Sequence, residues 1–207
     1  MLFRSLTAVD IDHLHDLTLA GALAEVMEPP QEIDVDAVIT DFDGVHTDDS
    51  ATIAQDGRES VRVTRADGLG VERLQSAGVP LLIVSKEINP VVAARAAKLG
   101  VEVLHGVEDK RAVVRDWLTR QSIPADRAAY LGNDINDLGP MGLVGWPVAV
   151  ADAHPAVRQA ARLVLARSGG HGAVRELCDL VIEHRKQALR ANITDVGVRG
   201  PSVLERL

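Results

Sequence analysis

From residue 37 onward, short apolar runs alternate with amphipathic stretches, and this rhythm restricts the fold more than any other feature of the chain. The runs are Ala37–Thr40 and residues 80–84, 101–104, 128–131, 147–150 and 163–165. They are short and almost continuously apolar, as strands covered on both faces are. Between them, Pro90–Leu99 and residues 110–120 carry apolar positions at helical spacing. Strand and helix alternating through short loops predict an α/β fold with a Rossmann-like, doubly wound parallel sheet. With aromatics at only 2% of 207 residues, the core has to be built from Val, Leu, Ile and Ala.

One segment breaks the rhythm. Residues 50–64, SATIAQDGRESVRVT, alternate with period two around Asp56-Gly57, which predicts a β-hairpin inserted between the first strand and the first core helix. Ala51, Ile53, Val61 and Val63 would give that hairpin an apolar face that the parent sheet cannot cover. No room is left for a cap domain between Asp43 and Ser85. Three parts are expected: an N-terminal segment and linker over 1–32, the main α/β domain over 33–187, and a flexible tail over 188–207.

The bulk properties exclude several functions. A net charge of −8 disfavours nucleic acid and offers no basic membrane anchor. Cys178 stands alone and cannot form an internal disulfide, which fits a reducing cytoplasm. No apolar stretch approaches the ~20 residues that a membrane span needs, and the N-terminus lacks the apolar core of a signal peptide.

In an open parallel sheet, ligands bind at the carboxyl ends of the strands. The first strand ends in DFDGVHTDD, residues 41–49, which places Asp41 and Asp43 there. The second ends at Ser85; Lys110 follows the third; Asp134 and Asp137 follow the fourth. Asp134 and Asp137, three apart at a helix start, are expected to share a face. Crowded carboxylates cost stability unless a cation or a reaction needs them. Carboxylates without Cys or His partners suit a hard cation, Mg²⁺ by default, and a lysine and a hydroxyl beside it suit a phosphoryl group. An aspartate can attack phosphorus while a second handles protons. Each piece has a plainer reading: an Asx turn at Asp41–Gly44, a helix cap at Ser85 or Asp134, a solvated Lys110. It is their joint occurrence, in order and at strand ends, that points to chemistry.

The order Asp-x-Asp-Gly-Val-x-Thr-Asp, Ser, Lys and Gly-Asn-Asp-x-x-Asp resembles the haloacid dehalogenase superfamily of phosphohydrolases. RADGLGV, GVEDK, YLGNDINDL, VAVADAHP and GGHGAVRELCDL narrow the resemblance to its capless branch. That branch holds 3-deoxy-octulosonate 8-phosphate phosphatases and the phosphatase-like domain of acylneuraminate cytidylyltransferases. The resemblance implies Asp41 as nucleophile and Asp43 as general acid and base. It implies Mg²⁺ held by Asp41, the Asp43 carbonyl and Asp134, phosphoryl oxygens held by Ser85 and Lys110, and Asp137 supporting the metal shell and Lys110. It also implies a homotetramer in which hairpins meet and each site is lidded by a neighbour.

Two departures bear on the substrate. Lys86-Glu87 stands where octulosonate phosphatases carry Gly-Arg, and Gly169-Gly170-His171-Gly172 stands where they carry Gly-Gly-Arg-Gly. Glu87, with Arg95 and Lys98, looks like the nine-carbon, sialic-type members, with Arg175 as a further substrate candidate. VDIDHLHDLTLAGALAE near the N-terminus resembles the end of a cytidylyltransferase domain, so such a domain is expected to precede this chain, with His13 and His15 solvated. Two other classes compete. A non-catalytic oligomerisation module fits poorly because the four functional acids, Asp41, Asp43, Asp134 and Asp137, and Lys110 are all retained. A phosphoacceptor signalling domain requires a different order of acids along the chain.

Overall fold

β1 (Ala37–Thr40) is buried on every side, and its position determines where the functional groups emerge. In the computed structural model, which describes residues 33–198, it lies between β4 (Leu81–Val84) and β6 (Ala128–Gly132), parallel to both. β5 (Glu102–Leu104), β7 (Trp146–Ala149) and β8 (Leu163–Val164) complete a six-stranded parallel sheet of order β5-β4-β1-β6-β7-β8. Val38 pairs with Leu81 on one side and Ala129 on the other, so the apolar run has neighbours in both directions. The order reverses beside β1, and the crevice at such a reversal is where an open α/β sheet takes its ligand.

Helices close both faces. α1 (Arg65–Ser76) begins at Thr64, whose hydroxyl accepts from Ala66 N at 3.3 Å. α2 (Pro90–Leu99) follows β4, with Asn89 as cap, proline at its first position and Gly100 ending it at φ 66°. That positive φ is one that glycine adopts without strain. α3 (Lys110–Gln121) is capped by Asp109, and Trp117 and Leu118 on it enter the core. A 3₁₀ turn, Ile135–Asp137, leads into the short α4 (Leu138–Met141), and α5 (Pro155–Ala160) links β7 to β8. α6 (Ala173–Val198) packs along α1, so closely that a methyl group on Gly70 would lie 2.9 Å from the Arg175 Cα. It continues beyond residue 187, where the sequence suggested a tail. Among the described residues no helix is long and apolar enough to cross a membrane.

The hairpin forms as β2 (Ala51–Ile53) and β3 (Glu59–Val61), with Ala51 opposite Val61. Its apolar residues divide, contrary to the expectation of one uncovered face. Val61 and Val63 pack against the core, whereas Ile53 is 72% exposed. The chain leaving β3 runs directly into α1, which carries Val63 toward the core and leaves the outer strand in solvent. The described residues belong to a unit that begins at Ile33, and the expectations for residues 1–32 lie outside them.

Candidate active site

Asp41 is the first residue beyond β1, and its backbone N–H still donates to Leu131 O of β6 at 3.0 Å. The sheet therefore fixes its position. Its Oδ1 accepts from Phe42 N at 2.7 Å, and its Oδ2 lies 2.8 Å from Lys110 Nζ. Lys110 reaches Asp137 Oδ1 at 2.9 Å as well, and both ion-pair partners are buried with it. Asp137 in turn accepts from the Tyr130 hydroxyl at 2.8 Å and from Asn133 N at 2.9 Å. Gly132 makes room for it: a methyl group there would lie 2.6 Å from the Asp137 Cβ. The lysine is thus held by two carboxylates whose own geometry is fixed by neighbouring hydrogen bonds.

Asp134 and Asp137 do not share a face. Asp134 is extended and caps the 3₁₀ turn, its Oδ1 accepting from Ile135 N at 2.7 Å. Being outside the helical turn, it projects into a cavity, while Asp137 points inward to Lys110. That cavity, of about 160 Å³, is lined by Asp41, Asp43, Asp49, Ser85, Glu87 and Asp134 among others. Ser85 is buried, and its hydroxyl accepts from Glu87 N at 3.0 Å, which turns the chain at the end of β4.

The electrostatics of the site call for a cation. Burial, reinforced by Asp137, pushes Asp41 up to about 7, with Lys110 pulling the other way. For Lys110, burial favours the neutral form, but Asp41 and Asp137 together raise its pKa. Both directions describe one imbalance: two buried carboxylates share one ammonium. Asp43 is raised to about 6 by burial and then by Glu87, Asp49 and Glu59. Asn133, whose buried Oδ1 has no hydrogen-bond partner, lines the same cavity. Among the described residues no three His, Cys, Asp or Glu side chains form a complete metal cage. Mg²⁺ does not need one, since it keeps several waters and is held by one or two carboxylates plus substrate phosphate. An oxygen-only, charge-deficient cavity fits that ion.

The loop after Asp41 is clamped from a distance. Gly170 N donates to Val45 O at 3.0 Å, and Gly169 N donates to Asp152 Oδ1 at 3.0 Å. A methyl group on Gly169 would lie 2.0 Å from Gly44 O, so this is backbone lying on backbone. Sequence reasoning missed this contact, together with Tyr130, Asn133 and Asp152. The glycine pair was a visible signal, but its target was not.

Glu87 enters the cavity; Arg95, Lys98 and Arg175 do not. α2 starts at the rim and runs away from it at ~1.5 Å per residue, so Arg95 and Lys98 lie roughly 8 and 12 Å along it from Pro90. They line a second cavity of about 380 Å³ with Arg65 and Glu72. Arg95 donates to Thr64 O at 3.0 Å, and its buried Nε has no partner. Arg175 instead starts α6: its N–H donates to the buried Asp67 Oδ1 at 2.9 Å and its guanidinium pairs with Asp179.

The chain is similar to known hydrolases. Residues 82–177 match the family model of haloacid dehalogenase-like hydrolases. The 3-deoxy-D-manno-octulosonate 8-phosphate phosphatase KdsC of Escherichia coli BL21-DE3 is 34% identical over 160 residues, 77% of this chain and 84% of that protein. Its Haemophilus influenzae counterpart is 33% identical over 147 residues, 70% and 82% of the two chains. Among solved structures, a protein from Streptomyces avermitilis assigned to the HAD family of hydrolases is 51% identical, with a TM-score of 0.72, over 75% of this chain and 89% of that one. The Moraxella catarrhalis 3-deoxy-D-manno-octulosonate 8-phosphate phosphatase, solved with magnesium ion, phosphate ion and KDO, is 26% identical with a TM-score of 0.72. It covers 78% of this chain and 95% of its own.

Proposed function

Because this chain belongs to the haloacid dehalogenase-like hydrolases, as a phosphatase related to the 3-deoxy-D-manno-octulosonate 8-phosphate phosphatases, we propose that it hydrolyses a phosphorylated keto-deoxy sugar acid through an aspartyl phosphate on Asp41. The observation that carries the chemistry is the buried Asp41–Lys110–Asp137 chain of ion pairs, 2.8 and 2.9 Å long, beneath an acid-lined cavity. The Asp41 carboxylate attacks phosphorus, the bond to the sugar oxygen breaks, and Asp43 gives that oxygen its proton. Water then attacks the phosphorus of the aspartyl phosphate, Asp43 takes the water's proton, and inorganic phosphate leaves with Asp41 restored. Lys110 offsets charge on the phosphoryl oxygens and Ser85 offers them a hydroxyl. Asp41, the Asp43 carbonyl and Asp134 would hold Mg²⁺, which supplies charge neutralisation on the phosphoryl group when bound.

The substrate in this reading is a nonulosonate 9-phosphate of the sialic acid type, because Glu87 occupies the cavity wall where octulosonate enzymes carry an arginine. Octulosonate 8-phosphate is the second reading, favoured by the names of the relatives. Arg95 and Lys98, which do not line the acid cavity of their own subunit, would serve a neighbour's site in a homotetramer with the exposed Ile53 covered at the hairpin contact. A cytidylyltransferase domain on the N-terminal side is part of the same proposal. Phosphate release measured across nonulosonate 9-phosphates, octulosonate 8-phosphate and simple sugar phosphates tests the substrate. Highest kcat/KM on a nine-carbon ester supports the first reading; highest on the eight-carbon ester supports the second. Light scattering tests the tetramer.

A further inference from the structure

Asp49 is an acid at the cavity that the phosphoryl chemistry leaves without a task. It lines the cavity with Asp43 and Asp134, and its backbone lies at φ 62°, a region that side chains other than glycine adopt at a cost. Thr47 holds that geometry, its hydroxyl oxygen accepting from Gly44 N at 3.1 Å and from Asp49 N at 3.3 Å. One loop therefore presents Asp43 at its start and Asp49 at its end to the same space. The field there is negative from several sides. After burial, Glu87, Asp49 and Glu59 each raise Asp43, and Asp134, Asp152 and Asp48 each raise Asp49. Lys86, the cation among the lining residues, lies 3.5 Å from Glu108 and is largely exposed.

We propose that Asp49 is a specificity-determining residue, selecting phosphate esters whose leaving group is a neutral polyol near the ester oxygen and rejecting those with an anionic group within a carbon or two of it. A hydroxyl placed there donates to the Asp49 carboxylate in a charge-assisted hydrogen bond. A carboxylate placed there meets Asp49 and Glu87 at close quarters. The inference rests on the phosphatase reading and deepens it. In a sugar-acid phosphate esterified at the end opposite its acid group, the two charges are separated by the polyol chain, which satisfies this filter.

The test compares kcat/KM for glycerol 1-phosphate and 3-phosphoglycerate in the full chain and in its Asp49→Asn and Asp49→Gly variants. The wild type is expected to prefer glycerol 1-phosphate. Both variants should shrink that preference about three- to tenfold, as loss of one exposed like charge implies, and the wild-type preference should weaken with salt. Asp49→Gly relieves the positive φ, so its unfolding temperature should not fall. Variants that hydrolyse both esters with the wild-type ratio overturn the proposal. A wild type that, even with Mg²⁺, releases phosphate from the sugar-acid phosphates but from neither small ester overturns this inference alone; one that releases none from any of these esters overturns the phosphatase reading with it.

Discussion

Lys110 Nζ lies 2.8 Å from Asp41 Oδ2 with both side chains almost wholly shielded from water, at 3% and 7% exposure. Removing the ammonium leaves Asp41 and Asp137 facing one another in a buried site, which costs about 3–5 kcal/mol when one partner of a buried pair is lost. Lys110→Met should therefore lose both turnover and stability. Adding Asp137→Asn should recover much of the stability and none of the turnover. Thermal unfolding beside phosphate release checks this; a Lys110→Met variant as stable as wild type would refute the buried-pair description.

Gly169→Ala forces a methyl group to within 2.0 Å of Gly44 O, the residue next to Asp43. The loop has to shift, and a displacement near 1 Å can cost about 100-fold in rate. The expected result is a fall of kcat by about tenfold or more with a smaller change in KM. Asp152→Ala, which removes the acceptor for Gly169 N, should show the same split more weakly. Unchanged kcat in both would mean that the glycine clamp does not position Asp43.

A cation that binds only the folded state raises the unfolding temperature; at 100 times its Kd the gain is about 2.7 kcal/mol. Mg²⁺ should produce such a rise, and Asp134→Asn should abolish most of it. EDTA should silence turnover and Mg²⁺ restore it, while Ca²⁺ inhibits through its looser geometry. Metal-independent hydrolysis would count against the proposed cofactor.

His46 is buried behind the loop, 2.9 Å from the Thr40 hydroxyl and stacked on Phe42 with centroids 5.7 Å apart. Burial, with Arg95 adding to it, depresses its pKa from 6.5 to about 3. Below pH 6.5 the unfolded chain takes up a proton that the folded one refuses, so stability falls with pH until about 3. The slope per fully titrating group is about 1.4 kcal/mol per pH unit. Asp67, raised to about 6 by burial, acts in the opposite sense between its ordinary pKa and that value. The His46 share is therefore read as the difference between wild type and His46→Gln. Denaturant unfolding from pH 7 to 4 should show the two stabilities converging as pH falls; parallel curves would contradict the buried neutral imidazole.

The fold was legible because its signals are local. Ala37–Thr40 could be read as a buried strand from its four residues alone, and Pro90 with Gly100 bracketed α2. The convergence of Asp41, Asp43, Ser85 and Asp134 on one cavity followed from the rule that ligands sit at strand ends. What the sequence concealed depends on contacts between distant residues or on direction. Gly169 against Gly44 joins loops far apart in the chain, and neither glycine names its partner. Asp134 and Asp137 have helical spacing, yet the capping role of Asp134 turns them apart. Arg95 and Lys98 follow Glu87 closely in sequence, but a helix axis carries them away from its cavity. Val61 and Ile53 alternate alike, and only the path into α1 separates their environments.

The central claim, covalent catalysis by Asp41, is tested most directly by trapping the phosphoryl group. With 4-nitrophenyl phosphate the leaving group needs no proton, so Asp43→Asn should still be phosphorylated but slow to hydrolyse. Acid quenching followed by peptide mass spectrometry should then find one phosphoryl group on Asp41, and Asp41→Asn should show neither the adduct nor phosphate release. Steady phosphate release from Asp41→Asn at the wild-type rate, with no phosphorylated peptide in Asp43→Asn, would contradict the account.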